Sequence, residues 1–249
     1  MEQVLKNDKL PADAREQLVV VERNTNRMLR LVNQILDFRK IQNKKMKMQV
    51  QQLNVVAFVR KIMDNFESVA EEHNIDFLFQ TEKEALNLWV DADKFEKIVF
   101  NLLSNAFKYT PEGQGIKIEL DTTEENVLIL RVANEGSSIK EKDFQYIFNR
   151  YAILDNFENQ DERNFSRNGL GLAISYNMAK LLNGTLKVEN TSDGWVMFTL
   201  TLPMMELTTG MQEIKQATAE YIPKIDTQPI LKLPQYEFDK MRPTLLVVD

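Results

Sequence analysis

Asn101, Asn105 and Lys108 are spaced by four and then three residues, which puts their side chains on one stripe of a helix. Two amide oxygens and an ammonium group on one stripe suit a hydrated divalent cation held together with a phosphate chain. Magnesium accepts neutral oxygen ligands and keeps several waters, and lysine supplies a point charge for phosphate. A solvated polar face is the competing reading, but asparagine is a poor mid-helix residue, so two of them there need a reason. Further along, Gly169-Leu170-Gly171-Leu172-Ala173-Ile174 opens a second helix. Free amides at a helix start bind phosphate, and glycine lets the ligand approach closely. A lone Gly-x-Gly serves equally as a packing contact. Between the two motifs, Val132 and Ala133 end a strand that runs into a turn carrying Asn134, Glu135 and Gly136. Residues 155–168 are polar with almost no core-type side chains. A connection of that length reads as a lid.

These residues need a scaffold, and the apolar pattern supplies one. A helix over 91–109, with Asp91 or Asp93 as N-cap, points Ile98, Leu102 and Ala106 at a core. Another amphipathic helix is expected over 55–72, and helical structure over 139–151 and 168–182. Short alternating runs predict strands over 75–80, 86–90, 116–120, 127–133, 185–189 and 195–202. Mixed helices and strands with an antiparallel close indicate an α+β fold, a two-layer sandwich with one sheet covered by helices on one side. Before it, a long helical run over 12–45 carries Leu18, Val21, Met28, Val32 and Ile35 at heptad steps, with Thr25 in the gap. Leu29, Leu31 and Leu36 widen that seam, which favours a bundle over a two-stranded coil. With the short stretch before Pro11, it reads as a helical hairpin with a cut first arm, expected to complete a homodimeric four-helix bundle. One amphipathic helix packed on its own chain is the alternative.

Composition narrows the chemistry. The chain has 249 residues, a net charge of −6, one histidine and no cysteine. An acidic balance argues against nucleic acid, whose phosphates demand a basic field. Without cysteine there is no thiol nucleophile and no thiolate metal site. A Ser-His-Asp arrangement would have to use His73. No apolar run approaches the ~20 residues that span a bilayer, so no membrane contact is expected of this stretch. Seven of the eight glycines fall between Gly113 and Gly194, and five of the seven prolines from Pro203 onward. Turns are therefore expected in the middle and an extended segment at the end.

Taken together, the asparagine helix, the strand-end turn, the long polar connection and the Gly-Leu-Gly helix start resemble the ATP-binding catalytic domain of sensor histidine kinases. That family belongs to the superfamily with the gyrase, Hsp90 and MutL ATPases, and the resemblance covers about Leu53 to Met204. Asn101 to Thr110 is similar to the N box, Asn134 to Ile139 to a diverged G1 box, Phe148 to Tyr151 to the F box, and Gly169 to Leu172 to the G2 box. Asn183-Gly184 and the strand pair ending at Leu202-Pro203 resemble the closing G3 region. The resemblance implies the Bergerat-type ATP-binding fold and a set of roles. Asn105, supported by Asn101, would hold magnesium on the ATP phosphates, and Lys108 and Arg150 would serve the transferred phosphoryl group. Tyr109 would border the adenine. Asn134 and Gly136 would line its pocket, and Gly169, Leu170, Gly171 and Leu172 would bring backbone to the phosphates. The family's adenine-reading aspartate is here Asn134, an acceptor without charge, so weaker adenine binding is expected. Ser138, Arg167 and Ile153 also depart from the family pattern.

The family's phosphoacceptor histidine sits on the first arm of the dimerisation hairpin. The first arm here has none, and His73 lies at a helix end with no Arg-x-Pro after it, so it reads as a capping or exposed residue. Residues 1–50 are accordingly expected to be a truncated dimerisation hairpin, 51–204 the catalytic domain and 205–242 a linker. Residues 243–249, Pro-Thr-Leu-Leu-Val-Val-Asp, resemble the first strand of a receiver domain. The expectation is a cytoplasmic piece of a hybrid two-component protein, its parent an inner-membrane sensor. It would bind ATP and Mg2+ and serve a phosphorelay between an acceptor histidine helix and a receiver, with no stable self-phosphorylation of its own. Two alternatives stand beside it. One is a non-catalytic dimerisation and signal-relay module with a decayed nucleotide site. The other is a hydrolytic ATPase, for which Glu96 lies on the wrong helix face.

Overall fold

The computed structural model describes residues 12–43, 45–123, 126–136, 138–149 and 170–204. Expectations placed on residues 1–11, on Arg150, Tyr151, Ile153, Arg167 and Gly169, on the connection 155–168 and on residues 205–249 lie outside these.

Strand alternation sorts each strand into an inner and an outer row. Strands β2 (Asp76–Gln80), β4 (Gly115–Thr122), β5 (Val127–Glu135), β6 (Thr185–Asn190) and β7 (Trp195–Pro203) form a five-stranded sheet in the order β2-β4-β5-β7-β6. The β2–β4 pair is parallel and the remaining pairs are antiparallel. Register lines up Ile118, Val132, Phe198 and Val188, and beside them Leu120, Leu130, Leu200 and Leu186. This inner face carries nearly all the buried apolar side chains of the sheet. Helices α2 (Val55–Met63), α4 (Ala92–Tyr109) and α5 (Gly171–Leu181) supply the other half of the core. The outer face is polar and includes the Lys117–Glu119–Arg131 ion pairs.

Three local expectations are corrected. The helix over 55–72 is broken: α2 ends at Met63, a 3-10 turn covers Asp64–Phe66, and α3 (Glu67–Glu72) follows. The amide of Asn65 donates to the Lys61 and Ile62 carbonyls, an asparagine competing for the helix's own acceptors. Residues 139–149 are no α-helix but a 3-10 turn (Glu141–Asp143) and further turns. Ile147 is the one buried residue of that stretch, too little apolar surface to anchor a helix. The strand β1 (Gln51–Asn54) was not expected; it pairs antiparallel with β3 (Asn87–Val90), a partner distant in sequence.

Helix α1 (Ala12–Gln42) behaves in two ways. Val21, Thr25, Met28, Leu29, Val32, Ile35 and Leu36 are exposed, Met28 to 68%. From residue 37 onward the helix touches the sandwich: Phe38 and Ile41 pack on its core, α1 meets α5, and Asp37 pairs with Lys97 at 2.8 Å. Among the described residues no helix is long and apolar enough to cross a membrane.

Candidate functional site

Helix α4 carries most of the singled-out side chains, and its start is fixed firmly. Asp91 is the N-cap, its carboxylate accepting from the Lys94 amide. Both side chains are buried, at 1% and 4% exposure, and they form an ion pair. The incoming segment is tied to the same place: the Lys94 ammonium donates to the Lys47 carbonyl at 2.8 Å, and the Gln49 amide to Asp91 Oδ2 at 2.7 Å. At the other end, the Thr110 hydroxyl donates back to the Ala106 carbonyl, and Pro111 stops the helix.

Along α4 the pattern separates cleanly. Ile98, Leu102, Leu103, Ala106 and Phe107 are buried, while Asn101, Ser104, Asn105, Lys108 and Tyr109 are half-buried along the rim. The Lys108 ammonium lies 4.6 Å from the centre of the Tyr109 ring, within cation–π range. Ser104 Oγ is buried and has no hydrogen-bond partner among the described residues.

The asparagine stripe meets the Gly-Leu-Gly helix start. Asn101 Nδ2 donates to the Gly171 carbonyl at 3.3 Å and to Ser175 Oγ at 3.1 Å. Gly171 is the first residue of α5, preceded by the buried Leu170, which offers no side-chain cap; Leu172 is half-buried. Methyl placement shows what glycine does here. A Cβ on Gly171 would meet only the Asn101 amide, at 3.6–4.0 Å, an ordinary contact.

The strand-end turn closes on the far end of α4. Asn134 continues the inner row of Leu128, Leu130 and Val132 and is 3% exposed, a polar group set at the end of an apolar row. Gly136 follows with φ +78°, and a Cβ there would lie 2.6 Å from the Pro111 ring. Glycine is required twice, by conformation and by space. Downstream, Asn190 clamps the main chain of Ile139, accepting its amide at 3.1 Å and donating to its carbonyl at 2.7 Å. Phe148 stacks on Tyr176 of α5, and the Lys180 ammonium lies over the Tyr176 ring, 4.3 Å from its centre.

The structure thus brings Asn101 and Gly171 into contact, with Asn105 and Lys108 on the same rim and Asn134 and Gly136 at the sheet end beside it. The sequence signals for Ser175, Ser104 and Asn190 were absent, because a small polar residue in a helix or strand has no periodicity of its own. His73 caps α3, and its carbonyl accepts from the Gly113 amide at 3.2 Å. Glu96 is buried at 2% exposure in the first half of α4. The donor set fits magnesium that arrives already bound to phosphates. Two neutral amide oxygens do not make an all-protein cage, but they can complete a cation that keeps its waters, and the lysine ammonium, which has no lone pair for a metal, suits the phosphates.

Residues 90–206 match the family model described as histidine kinase-, DNA gyrase B- and HSP90-like ATPase. Histidine kinase P4 of Formosa agariphila is 29% identical over an aligned stretch of 260 positions that covers 100% of this chain and 19% of that protein. Sensor histidine kinase WalK of Bacillus subtilis is 32% identical over 190 residues, 76% of this chain and 30% of that protein. Hybrid signal transduction histidine kinase D of Dictyostelium discoideum is 32% identical over 217 residues, 85% and 14%. Full-length ShkA in complex with AMPPNP superimposes with a TM-score of 0.69 at 20% identity, covering 84% of this chain and 42% of that one. The nucleotide-free catalytic domain of histidine kinase ThkA gives 0.55 at 26% identity, 63% and 99%. The chain spans less than a third of the length of these three curated relatives.

Proposed function

Because the chain carries the ATP-binding catalytic domain of a sensor histidine kinase, with the Bergerat fold, we propose that it binds ATP with magnesium and transfers the γ-phosphoryl group to a histidine on an acceptor helix. The observation that carries this reading is the contact between the Asn101 amide and the first turn of α5. It sets the asparagine–lysine rim of α4 beside backbone amides at a helix start. Bound there, magnesium would neutralise phosphate charge and align the phosphate chain. Asn105, supported by Asn101, would hold the cation, and Lys108 would face the phosphates as a point charge. The amides near Gly169 and Gly171 would receive the phosphate oxygens. Arg150 would act on the transferred group. Tyr109 and Asn134 would border and read the adenine, with Gly136 letting the turn close on Pro111. The protein's work in such a transfer is placement and charge stabilisation.

The exposed stripe of α1 supports a homodimer as the working unit. The hybrid kinase among the relatives, and the receiver-like residues 243–249, support a response-regulator domain as the phosphoryl destination. Titration with a fluorescent ATP analogue tests the site. Wild type binds in a magnesium-dependent manner, and Asn105→Ala loses most of that dependence, about 10-fold or more in affinity, because a charge-assisted ligand is removed. Equal binding by the two proteins sinks the assignment. One observation favours a second reading, a relay module whose nucleotide site has decayed: the adenine position is an uncharged Asn134. Magnesium-independent, weak binding by wild type would select it. Turnover of free ATP would instead indicate a hydrolytic ATPase.

A further inference from the structure

The Asn101 amide nitrogen serves two acceptors at once, the Gly171 carbonyl and the Ser175 hydroxyl oxygen. These acceptors stand four residues apart on α5 and so lie on one face. The two ends of an asparagine amide are unlike: the nitrogen only donates and the oxygen only accepts. A carbonyl can only accept, so the Gly171 contact decides which way round the amide sits. The Asn101 oxygen then lies 3.6 Å from where a methyl on Gly171 would stand. Ser175 has no exposed surface, and its oxygen is committed to the seam between α4 and α5.

We propose that Ser175 is a positioning residue for the metal–nucleotide site: it pins the Asn101 nitrogen to α5, so that the Asn101 oxygen is presented to the hydration shell of the phosphate-bound magnesium. The inference rests on the nucleotide reading above and deepens it. It gives Asn101 a job different from that of a simple ligand. A carboxylate at 101 would satisfy a cation at least as well as an amide does. It would also place an acceptor against the Gly171 carbonyl and break the pin. The two roles therefore predict opposite outcomes for Asn101→Asp.

The test is titration of the whole chain with a fluorescent ATP analogue, in magnesium and in EDTA, with thermal unfolding confirming that each variant is folded. Ser175→Ala is expected to weaken magnesium-dependent binding about 3- to 10-fold, the worth of one buried hydrogen bond. It leaves binding in EDTA within about 2-fold, since the pin acts through the metal. In an Asn101→Ala background it adds nothing further, as two members of one contact are not additive. Ser175→Cys fills the same space with a weak acceptor and behaves like the alanine variant. Asn101→Asp binds more weakly than wild type. The positioning role is overturned if Ser175→Ala binds as wild type does, if its loss is equal in EDTA or undiminished beside Asn101→Ala, if Ser175→Cys restores binding, or if Asn101→Asp binds more tightly. Those results arise with magnesium-dependent binding intact in wild type. Its absence from wild type overturns the nucleotide reading itself, and the positioning role with it.

Discussion

Helices α1 and α4 are both amphipathic, yet their apolar faces end up in opposite surroundings. Phe95, Ile98 and Leu102 of α4 are fully buried against the sheet, whereas Met28, Leu29 and Leu36 of α1 are exposed by half or more. A hydrophobic stripe states that a surface needs cover; it does not state which chain provides it. The boundary falls within α1 itself. Val21, Met28, Leu29, Val32, Ile35 and Leu36 are exposed, and from Asp37 the helix engages the sandwich through Lys97, Phe38 and Ile41. The exposed apolar side chains of α1 are thus left for another partner, while the apolar face of α4 is covered within one molecule.

The contrast can be broken at the buried helix first. Leu102→Ala removes a side chain with no exposure and is expected to cost about 2–5 kcal/mol of domain stability, read from urea unfolding. At the junction, Lys97→Ala should cost under ~1 kcal/mol, because the pair with Asp37 is part-exposed and screened. Burial of Lys97 works against its charge, but the hydrogen bond and charge of Asp37, and then Asp93, outweigh it and lift its pKa above the ordinary lysine value. A raised pKa favours the folded state at every pH below the unfolded value. That contribution disappears as pH climbs through the higher folded value. The stability gap between wild type and Lys97→Ala should therefore persist through neutral pH and close only in strong alkali. The smallest effect on the domain belongs to Met28→Glu. It should leave domain unfolding within ~0.5 kcal/mol while light scattering shows a shift from dimer to monomer. A dimer that survives the change would show that the exposed stripe is not the contact.

Much of this arrangement was legible beforehand, for identifiable reasons. Strands β2 and β4–β7 follow from alternation, and α4 from its period and its aspartate cap, which is Asp91. The stripe of Asn101, Asn105 and Lys108 follows from helix geometry alone. What escaped depends on partners far away in sequence. The β1 strand is polar and exists because β3 lies alongside it. The break at Asn65 comes from a side chain turned back on its own helix. Ser175 matters through a residue 74 positions away, and Gly136 through the ring of Pro111. No period in the local sequence encodes such meetings.

One feature at the base of α4 has a mechanical consequence. The chain leaving α1 passes Lys47 and Gln49, and both are fastened by main-chain hydrogen bonds to the buried Asp91–Lys94 pair. Asp91 to Asn105 spans about 21 Å of continuous helix at 1.5 Å per residue. The segment that follows α1 is thus joined to one end of a rod whose opposite end bears the polar rim. The same helix that anchors the entering chain at Asp91 therefore also carries Asn105, with no break in its backbone hydrogen bonding between the two.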